Sequence, residues 1–263
     1  MDVLGAARPT RVRPPVHKMM KGGFSVKKRL LPFLLALAMV FSLAVPAFAA
    51  APEARDLPTV AEDDVVILYT NDVHTYIDQD LTYSMVAGYK DTLDNVLLVD
   101  AGDHIQGTAY GSMDDGATII ELMNAAGYDA ATLGNHEFDY DMPRTLQVID
   151  DAAFPYVSCN FYHEENGVQG ENVLDSYVVY EVNGKSIALI GITTPESFTK
   201  STPAYFQDDE GNYIYGIAGG SDGEELYSAV QEAIDAASEE ADYVIALGHL
   251  GVDESSKPWA SRE

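Results

Sequence analysis

The stretch Gly134-Asn135-His136-Glu137-Phe138-Asp139 directly follows a predicted strand at residues 129–133 and is the best guide to the fold. Three further strings also follow apolar runs, and they read Asn71-Asp72-Val73-His74, Gly102-Asp103 and Gly248-His249-Leu250-Gly251. In an open α/β sheet, ligands bind beyond the carboxyl ends of the strands. The four strings therefore predict one shared site at a sheet edge, lined by Asp, His and Asn side chains.

The segments between these strings predict an α/β fold. Apolar, β-branched runs indicate buried strands at residues 65–69, 96–99, 129–133 and 243–247. The spacing of apolar residues predicts helices at residues 83–93, 117–126, 142–153 and 224–239. This alternation favours mostly parallel sheet layers with helices on their outer faces. Asn183-Gly184 predicts a hairpin that adds an antiparallel pair, and residues 203–223 are predicted to form a loop.

The chain is strongly acidic, with 42 Asp and Glu against 15 Lys and Arg and a net charge of −27. Eight of the basic residues but only one acidic residue precede position 51, so residues 51–263 carry a net charge of about −34. Such a charge repels phosphate backbones and anionic membrane surfaces. Nucleic acid is therefore excluded as a partner.

Residues 1–50 predict a secretory signal with an amino-terminal extension. Lys27-Lys28-Arg29 precede an apolar run at residues 30–45, and Ala47-Phe48-Ala49 supplies a small-residue cleavage site. The run is shorter than the roughly 20 residues of a membrane-spanning helix. We therefore expect an exported protein, in the extracellular space, cell wall or periplasm, with no stable membrane span after cleavage. Residues 51–63 are a short leader.

The residue types in the four strings are those of a metal site. Asp72 and His74, two apart in an extended segment, would point to the same side and bind one ion. Gly102 permits a tight turn that directs Asp103. Taken singly, the strings of Asp72 and Asp103 are more typical of surface turns, and the string of His249 could equally be a turn or a ligand. Their joint position with Asn135 and His136 favours a site. The single cysteine, Cys159, is predicted to be a buried strand residue rather than a catalytic thiol.

In these motifs, the chain resembles the calcineurin-like metallophosphoesterases, and specifically the exported 5′-nucleotidase family. Segments 66–74, 98–103 with Gly107-Thr108, and 132–139 are similar to the family signatures in order and spacing, and the resemblance covers residues 63–251. It implies a metallophosphoesterase-like β-sandwich core, with a catalytic domain over residues 64–263. It also implies hydrolysis of nucleotide phosphate monoesters at two divalent metal ions.

The resemblance implies a role for each site residue. Asp72 and His74 would hold the first ion, Asn135 and His249 the second, and Asp103 would bridge both. Mixed oxygen and nitrogen ligands suit Mn, Zn or Fe. His136 and Asp139 would form a catalytic dyad, in which Asp139 orients the imidazole that stabilises or protonates the reacting phosphoester. Glu137 and Asn160 are expected to be structural or to support the ligands from behind, and His104 and His163 to be surface residues.

The sequence departs from the family after His249. Neither the next family motif, Gly-His-Ser-His or close to it, nor the carboxyl-terminal substrate-binding domain has a counterpart there. We therefore expect the amino-terminal catalytic portion of a longer, truncated protein, with an incomplete ligand set and an exposed sheet edge. The substrate is expected to be a nucleotide or another small phosphoester. The alternative activities are those of a 2′,3′-cyclic-nucleotide phosphodiesterase and a UDP-sugar hydrolase. An inactive exported binding protein or a non-functional fragment is the alternative from another class.

Overall fold

The computed structural model describes residues 59–79 and 81–251. The predicted signal segment, the first part of the leader and residues 252–263 lie outside this range. Across the two described stretches, no helix combines the length and the apolar character needed to cross a membrane.

Strands and helices alternate along most of the described chain. The strands are β1 (Val66–Thr70), β2 (Val96–Asp100), β3 (Ala130–Ala131), β4 (Phe161–Glu165), β5 (Val168–Asn172), β6 (Tyr177–Val182), β7 (Lys185–Ile192), β8 (Tyr215–Ile217) and β9 (Tyr243–Gly248). The helices are α1 (Tyr83–Lys90), α2 (Ala109–Ser112), α3 (Ala117–Ala126), α4 (Met142–Asp151), α5 (Ser197–Lys200) and α6 (Glu224–Ser238). Two 3₁₀ helices span His136–Phe138 and Pro203–Phe206.

These strands form three sheets of three strands each. The order β1-β2-β3 is parallel throughout, whereas β6-β7-β9 combines an antiparallel hairpin, β6-β7, with a parallel pair, β7-β9. The third sheet, β5-β4-β8, is antiparallel. The predicted mixed α/β class is confirmed, as is the hairpin at Asn183-Gly184.

The sheets β1-β2-β3 and β6-β7-β9 pack face to face, and helices cover their outer faces. On β2, Leu97 and Val99 pack against residues of the opposite sheet that include Leu189, while Leu98 points to the other face. There it joins the cluster formed by residues of α3 and α4, and α6 covers β7 in the same way. Alternate side chains of a strand face opposite sides. Strand β2 therefore packs against the opposite sheet with one face and against helices with the other.

Gly191 on β7 lies where the chain of residues 156–160 crosses the sheet. The backbone nitrogen of Cys159 donates to the carbonyl oxygen of Gly191 at 2.8 Å. A Cβ atom at position 191 would collide with the carbonyl oxygen of Val157 and would lie 2.8 Å from Thr132 Oγ1. Only a glycine permits this approach, which links the strand ends of two sheets near the candidate site.

Several elements differ from the sequence predictions. The loop predicted at residues 203–223 contains β8, which pairs with β4. The hairpin β4-β5 turns at Asn166-Gly167, a turn signal of the same kind as Asn183-Gly184 that the sequence prediction missed. The strand predicted at 129–133 is reduced to Ala130–Ala131, because the chain beyond it turns into the site. Cys159 is buried, as predicted, but lies outside any strand.

Candidate metal centre

The loops that follow β1, β2, β3 and β9 meet at one edge of the fold, as the four strings predict. The backbone nitrogen of Asp72 donates to the carbonyl of Gly102 at 3.1 Å, which joins the first two loops. His136 N donates to Asp103 Oδ1 at 2.8 Å, which joins the second to the third. His249 Nδ1 donates to the carbonyl of Ala101 at 2.9 Å. The ends of parallel strands thus bring distant residues together.

The backbone of the first loop is not extended, contrary to the prediction for Asp72 and His74. Their φ angles are +53° and +47°, in the left-handed region. The reason is the contact with the second loop, where the carbonyl of Asp103 accepts from His74 N at 2.9 Å. Left-handed backbone at residues other than glycine is unfavourable and recurs at functional sites. The two side chains still converge, with His74 Nε2 at 3.6 Å from Asp72 Oδ1.

Two groups of three side chains place their donor atoms within 4.8 Å of one another, and both contain Asp103. One group adds His74 and His136, and the other adds Asp72 and His249. Asp103 Oδ2 lies 3.7 Å from His74 Nε2 and 3.2 Å from His249 Nε2. Carboxylate and imidazole donors in this arrangement can hold transition-metal ions. Asp103 is thus the one residue that the two groups share.

Hydrogen bonds fix which imidazole nitrogen faces the centre. His74 Nδ1 donates to the carbonyl of Gln106 at 3.1 Å, and His249 Nδ1 donates to that of Ala101. Both rings therefore present Nε2 toward Asp103. Such a backbone partner on the remote nitrogen sets the tautomer and orientation of a metal-binding histidine.

The charges of Asp103 and His249 stabilise each other. Burial by itself would raise the pKa of Asp103, but its hydrogen bond to His249 and the positive charge there outweigh this effect and lower it. Burial would likewise lower the pKa of His249, but Asp103 raises it to about 9. The pair is thus a charged contact that a cation bound between the two groups could replace.

His136 and Asp139, the predicted dyad, are in direct contact. Nδ1 of His136 lies 2.5 Å from Oδ2 of Asp139, and this hydrogen bond is the main reason why the pKa of His136 is raised. The imidazole lies edge-on to the ring of His74, with ring centroids 5.0 Å apart. The other side of His136 therefore faces the centre, in reach of either a substrate or an ion.

Asn135, the predicted amide ligand, precedes the 3₁₀ helix at His136–Phe138 and is half-buried. Its side chain makes no hydrogen bond within residues 59–79 and 81–251, and it lines a cavity together with Asp72 and His249. An amide oxygen without a protein partner at this place is available to a cation or a phosphate group.

Glu137 holds the second and third loops together. Its carboxylate accepts from the backbone nitrogens of Asp103 at 2.8 Å, His104 at 2.9 Å and Gly134 at 2.6 Å, and the side chain is buried. Gly134 makes the approach possible, because a Cβ atom there would lie 2.7 Å from the nitrogen of Asp103 and closer still to its carboxylate. The expected structural role of Glu137 agrees with these contacts.

His104 is completely buried, so its interpretation as a surface residue was wrong. Nδ1 donates to Asp100 Oδ1 at 2.8 Å, and Nε2 lies 2.6 Å from the hydroxyl oxygen of Tyr156. Burial would lower the pKa of His104, but the charges of Glu137 and Asp100 raise it to about 9. The missed signal is Asp100 at the end of an apolar strand, since a buried carboxylate requires a partner. His163 is exposed, as predicted.

Asn160 has a structural position on the opposite side of the site. Its Oδ1 accepts from the backbone nitrogen of Thr193 at 2.9 Å, and its Nδ2 donates to the carbonyls of Thr193 at 2.8 Å and Ala218 at 3.2 Å. It thereby fixes the segment that leaves β7. This agrees with the supporting role expected from the sequence.

The chain is similar in sequence to known phosphoesterases. Residues 65–263 match the calcineurin-like phosphoesterase family. A 5′-nucleotidase of Diplobatis ommata is 31% identical over 228 residues, covering 76% of this chain and 36% of that protein. A 5′-nucleotidase of Homo sapiens is 28% identical over 219 residues, covering 74% of this chain and 35% of that protein. The chain thus spans about a third of the length of these relatives.

Solved structures share the fold. The calcineurin-like phosphoesterase YfkN from Bacillus subtilis superposes with a TM-score of 0.57 at 28% identity, covering 74% of this chain and 64% of that one. A 5′-nucleotidase precursor from Thermus thermophilus gives a TM-score of 0.56 at 25% identity, covering 72% of this chain and 38% of that one. The family match contains every strand described above. The chain therefore belongs to the calcineurin-like phosphoesterase family of metal-dependent phosphoester hydrolases.

Proposed function

We propose that this chain is the catalytic portion of an exported enzyme of the 5′-nucleotidase type, which hydrolyses phosphate monoesters of nucleotides. The observation that carries the proposal is the position of Asp103, whose carboxylate belongs to both groups of donor atoms. A carboxylate shared in this way is what a centre of two divalent ions requires. The similarity to two 5′-nucleotidases supports the substrate class. Export rests on the signal pattern of residues 1–50 alone.

The donor set fits divalent ions of the Mn, Zn or Fe type. Asp72 and His74 would hold one ion, Asn135 and His249 the other, and Asp103 both. The distance of 3.6 Å between His74 Nε2 and Asp72 Oδ1 supports the first of these pairs. The two donor groups divide the ligands differently, since they place Asp72 with His249 and His74 with His136. Two such ions lower the pKa of bound water and neutralise charge on the phosphoryl oxygens.

His136 would act on the phosphoester itself. Its Nδ1 is engaged by Asp139, so Nε2 is the nitrogen that can reach a substrate. Because the pKa of the imidazole is raised, the cationic form is favoured, and this form can donate a proton to the leaving oxygen. Asp139 would keep the ring in the orientation needed for this transfer. Glu137 and Gly134 would keep the loop of His136 against the loop of Asp103.

A direct test measures phosphate release from AMP by the Mn²⁺-loaded full-length protein, with His136→Ala as the variant. We expect turnover to fall by about 10²- to 10⁴-fold, the range of general acid–base catalysis. His163→Ala is the matched control, because His163 is an exposed histidine whose described contact is with the ring of Tyr215. If the full-length protein bound Mn²⁺ but released phosphate from no nucleotide, the nucleotidase assignment would be wrong. Parallel assays with a 2′,3′-cyclic nucleotide and a UDP-sugar separate the alternative substrates.

A further inference from the structure

We propose that Lys200 is a phosphate-binding residue of this site, which contacts an anionic phosphoryl oxygen of the substrate. The inference rests on the proposed function, since it concerns the cavity that the candidate metal ligands line. It adds a cation from α5, an element that contains none of the four strings.

Basic side chains are rare in the described structure, and Lys200 alone among them has no partner. Residues 59–79 and 81–251 contain four of them, Lys90, Arg144, Lys185 and Lys200. Lys90 forms an ion pair with an aspartate, Arg144 donates to two backbone carbonyls, and Lys185 donates to one. The backbone nitrogen of Lys200 donates to the carbonyl of Glu196 at 2.8 Å, but its ammonium group makes no hydrogen bond or ion pair within these two stretches. The side chain of Lys200 is exposed, so its ammonium group is free to contact a ligand.

The fold brings Lys200 to the same edge as the candidate ligands. β7 and β9 are parallel neighbours, and Ile192 at the end of β7 aligns with Gly248 at the end of β9. The chain therefore leaves both strands on the same side, toward His249 after β9 and toward α5 after β7. Lys200 is the last residue of α5.

Hydrogen bonds hold α5 in this position. At its start, Ser197 Oγ donates to the carbonyl of Thr194 at 2.8 Å. Beyond its end, Ser201 Oγ donates to the carbonyl of Phe138 at 2.9 Å. Phe138 belongs to the 3₁₀ helix that carries His136. The backbone next to Lys200 is thus fixed directly to the segment of the predicted dyad.

A cavity of about 220 Å³ joins Lys200 to the centre. Its lining includes Asp72, Asn135 and His249, which belong to the candidate metal ligands, together with Lys200 and Glu196. Glu196 is the nearest acidic residue along the chain on this wall, yet it forms no ion pair with Lys200. Among the described residues, nothing occupies the three ammonium donors of Lys200, which are available to a ligand in the cavity.

The size of the cavity and the ammonium group of Lys200 suit a small anionic ligand. Pockets for whole small molecules measure roughly 300–1,000 Å³. The cavity at Lys200 is smaller, which suits a phosphoryl group and its ester oxygen rather than a complete nucleotide. Lysine is a common phosphate-binding residue that acts as a point charge. The phosphoryl group concerned is either the one transferred or the one next to it in a nucleoside diphosphate.

The test compares Lys200→Gln with the wild-type chain, both loaded with Mn²⁺. Binding of inorganic phosphate is measured by calorimetry, and kcat and KM are measured with AMP and with ADP. Loss of one charge-assisted hydrogen bond predicts about tenfold weaker binding or more, with little change in kcat. Mn²⁺ affinity, measured separately, should be unchanged. Lys200→Arg should restore most of the binding, and Lys185→Gln, which removes a lysine bonded to a backbone carbonyl, is the matched control.

Binding of the three ligands distinguishes contact with the transferred phosphoryl group from contact with the adjacent one. Contact with the transferred group weakens binding of inorganic phosphate and AMP, whereas contact with the adjacent group weakens only ADP. The proposal is overturned if Lys200→Gln equals the wild type for all three ligands, or if the wild type binds neither inorganic phosphate nor ADP. If phosphate binding depends on Lys200 but no nucleotide is hydrolysed, the phosphate-binding role stands and the nucleotidase function fails.

Discussion

Nδ1 of His104 lies 2.8 Å from Oδ1 of Asp100, and neither side chain is exposed to solvent. Glu137, also buried, places Oε1 at 3.5 Å from the same ring nitrogen. One imidazole thus lies between two carboxylates directly behind the loop that carries Asp103. Removing one member of a buried charged group leaves the others uncompensated, which costs more than the contact itself contributes.

His104→Leu should therefore lower the free energy of unfolding by about 3–5 kcal/mol. Urea denaturation followed by circular dichroism, in EDTA so that bound metal plays no part, measures the change. His163→Leu, at an exposed histidine, should stay within about 0.5 kcal/mol of the wild type. Equal stabilities of the two variants would show that the buried imidazole does not compensate Asp100 and Glu137.

Gly134→Ala should weaken both the fold and Mn²⁺ binding. The added Cβ would lie 2.7 Å from the nitrogen of Asp103, so the two loops must separate. Such overpacking costs about 1–3 kcal/mol. Gly88→Ala is the control, because nothing lies within 4 Å of a Cβ atom at this exposed helical position. Thermal denaturation should show a loss of stability for Gly134→Ala and an unchanged or slightly higher stability for Gly88→Ala, because alanine favours a helix. Calorimetry should show weaker Mn²⁺ binding for Gly134→Ala alone, and unchanged binding would argue against close contact of the loops.

Asp103→Asn should reduce Mn²⁺ affinity more than any other single replacement in the centre. Asparagine keeps the size of the side chain but removes the charge that both donor groups share. Even residues that only support a ligand change metal affinity by about 10- to 100-fold, so we expect a loss of at least about 100-fold. The control is Asp94→Asn, at an exposed residue before β2. Full retention of two Mn²⁺ ions by Asp103→Asn would contradict the bridging role.

Cys159 should be unreactive in the folded protein up to strongly alkaline pH. Burial raises the pKa of its thiol to about 12, so the reactive thiolate is scarce at pH 9, where an ordinary thiol is largely ionised. Iodoacetamide labelling at pH 9 should be about a thousandfold slower in buffer than in urea, allowing for both ionisation and access. Similar rates in the two conditions would mean that the thiol is accessible.

Most strands and helices were predicted from the sequence, and the incorrect predictions have physical causes. The helix at Ala117–Ala126 has the predicted bounds, because Gly127 adopts a positive φ that ends it and its apolar face is regular. β3 was predicted too long, since apolar character continues to Leu133 while the backbone already turns toward the site. His104 was misplaced because the prediction overlooked Asp100, a carboxylate at the end of an apolar strand that needs a buried partner. Its burial depends on Asp100 and on Tyr156, which is 52 residues away.

The candidate site was predictable as a set of residues but not as a set of contacts. The common edge of the parallel strands brought all four strings together, as expected. The left-handed backbone of Asp72 and His74 was not foreseen, because it follows from hydrogen bonds to a loop distant in sequence. Lys200 was also missed, since its position depends on β7 and β9 being neighbours. The roles of the individual ligands and of the dyad stay predictions.

The hydrogen bond between His249 and Ala101 joins residues 148 positions apart, so this part of the centre forms late in the folding of each molecule. During synthesis, His74 and Asp103 emerge long before His249, and the donor group of Asp72, Asp103 and His249 forms only once β9 has paired with β7. The proposed centre would therefore bind its metal ions late in folding. Those ions would come from the compartment in which β9 docks onto β7.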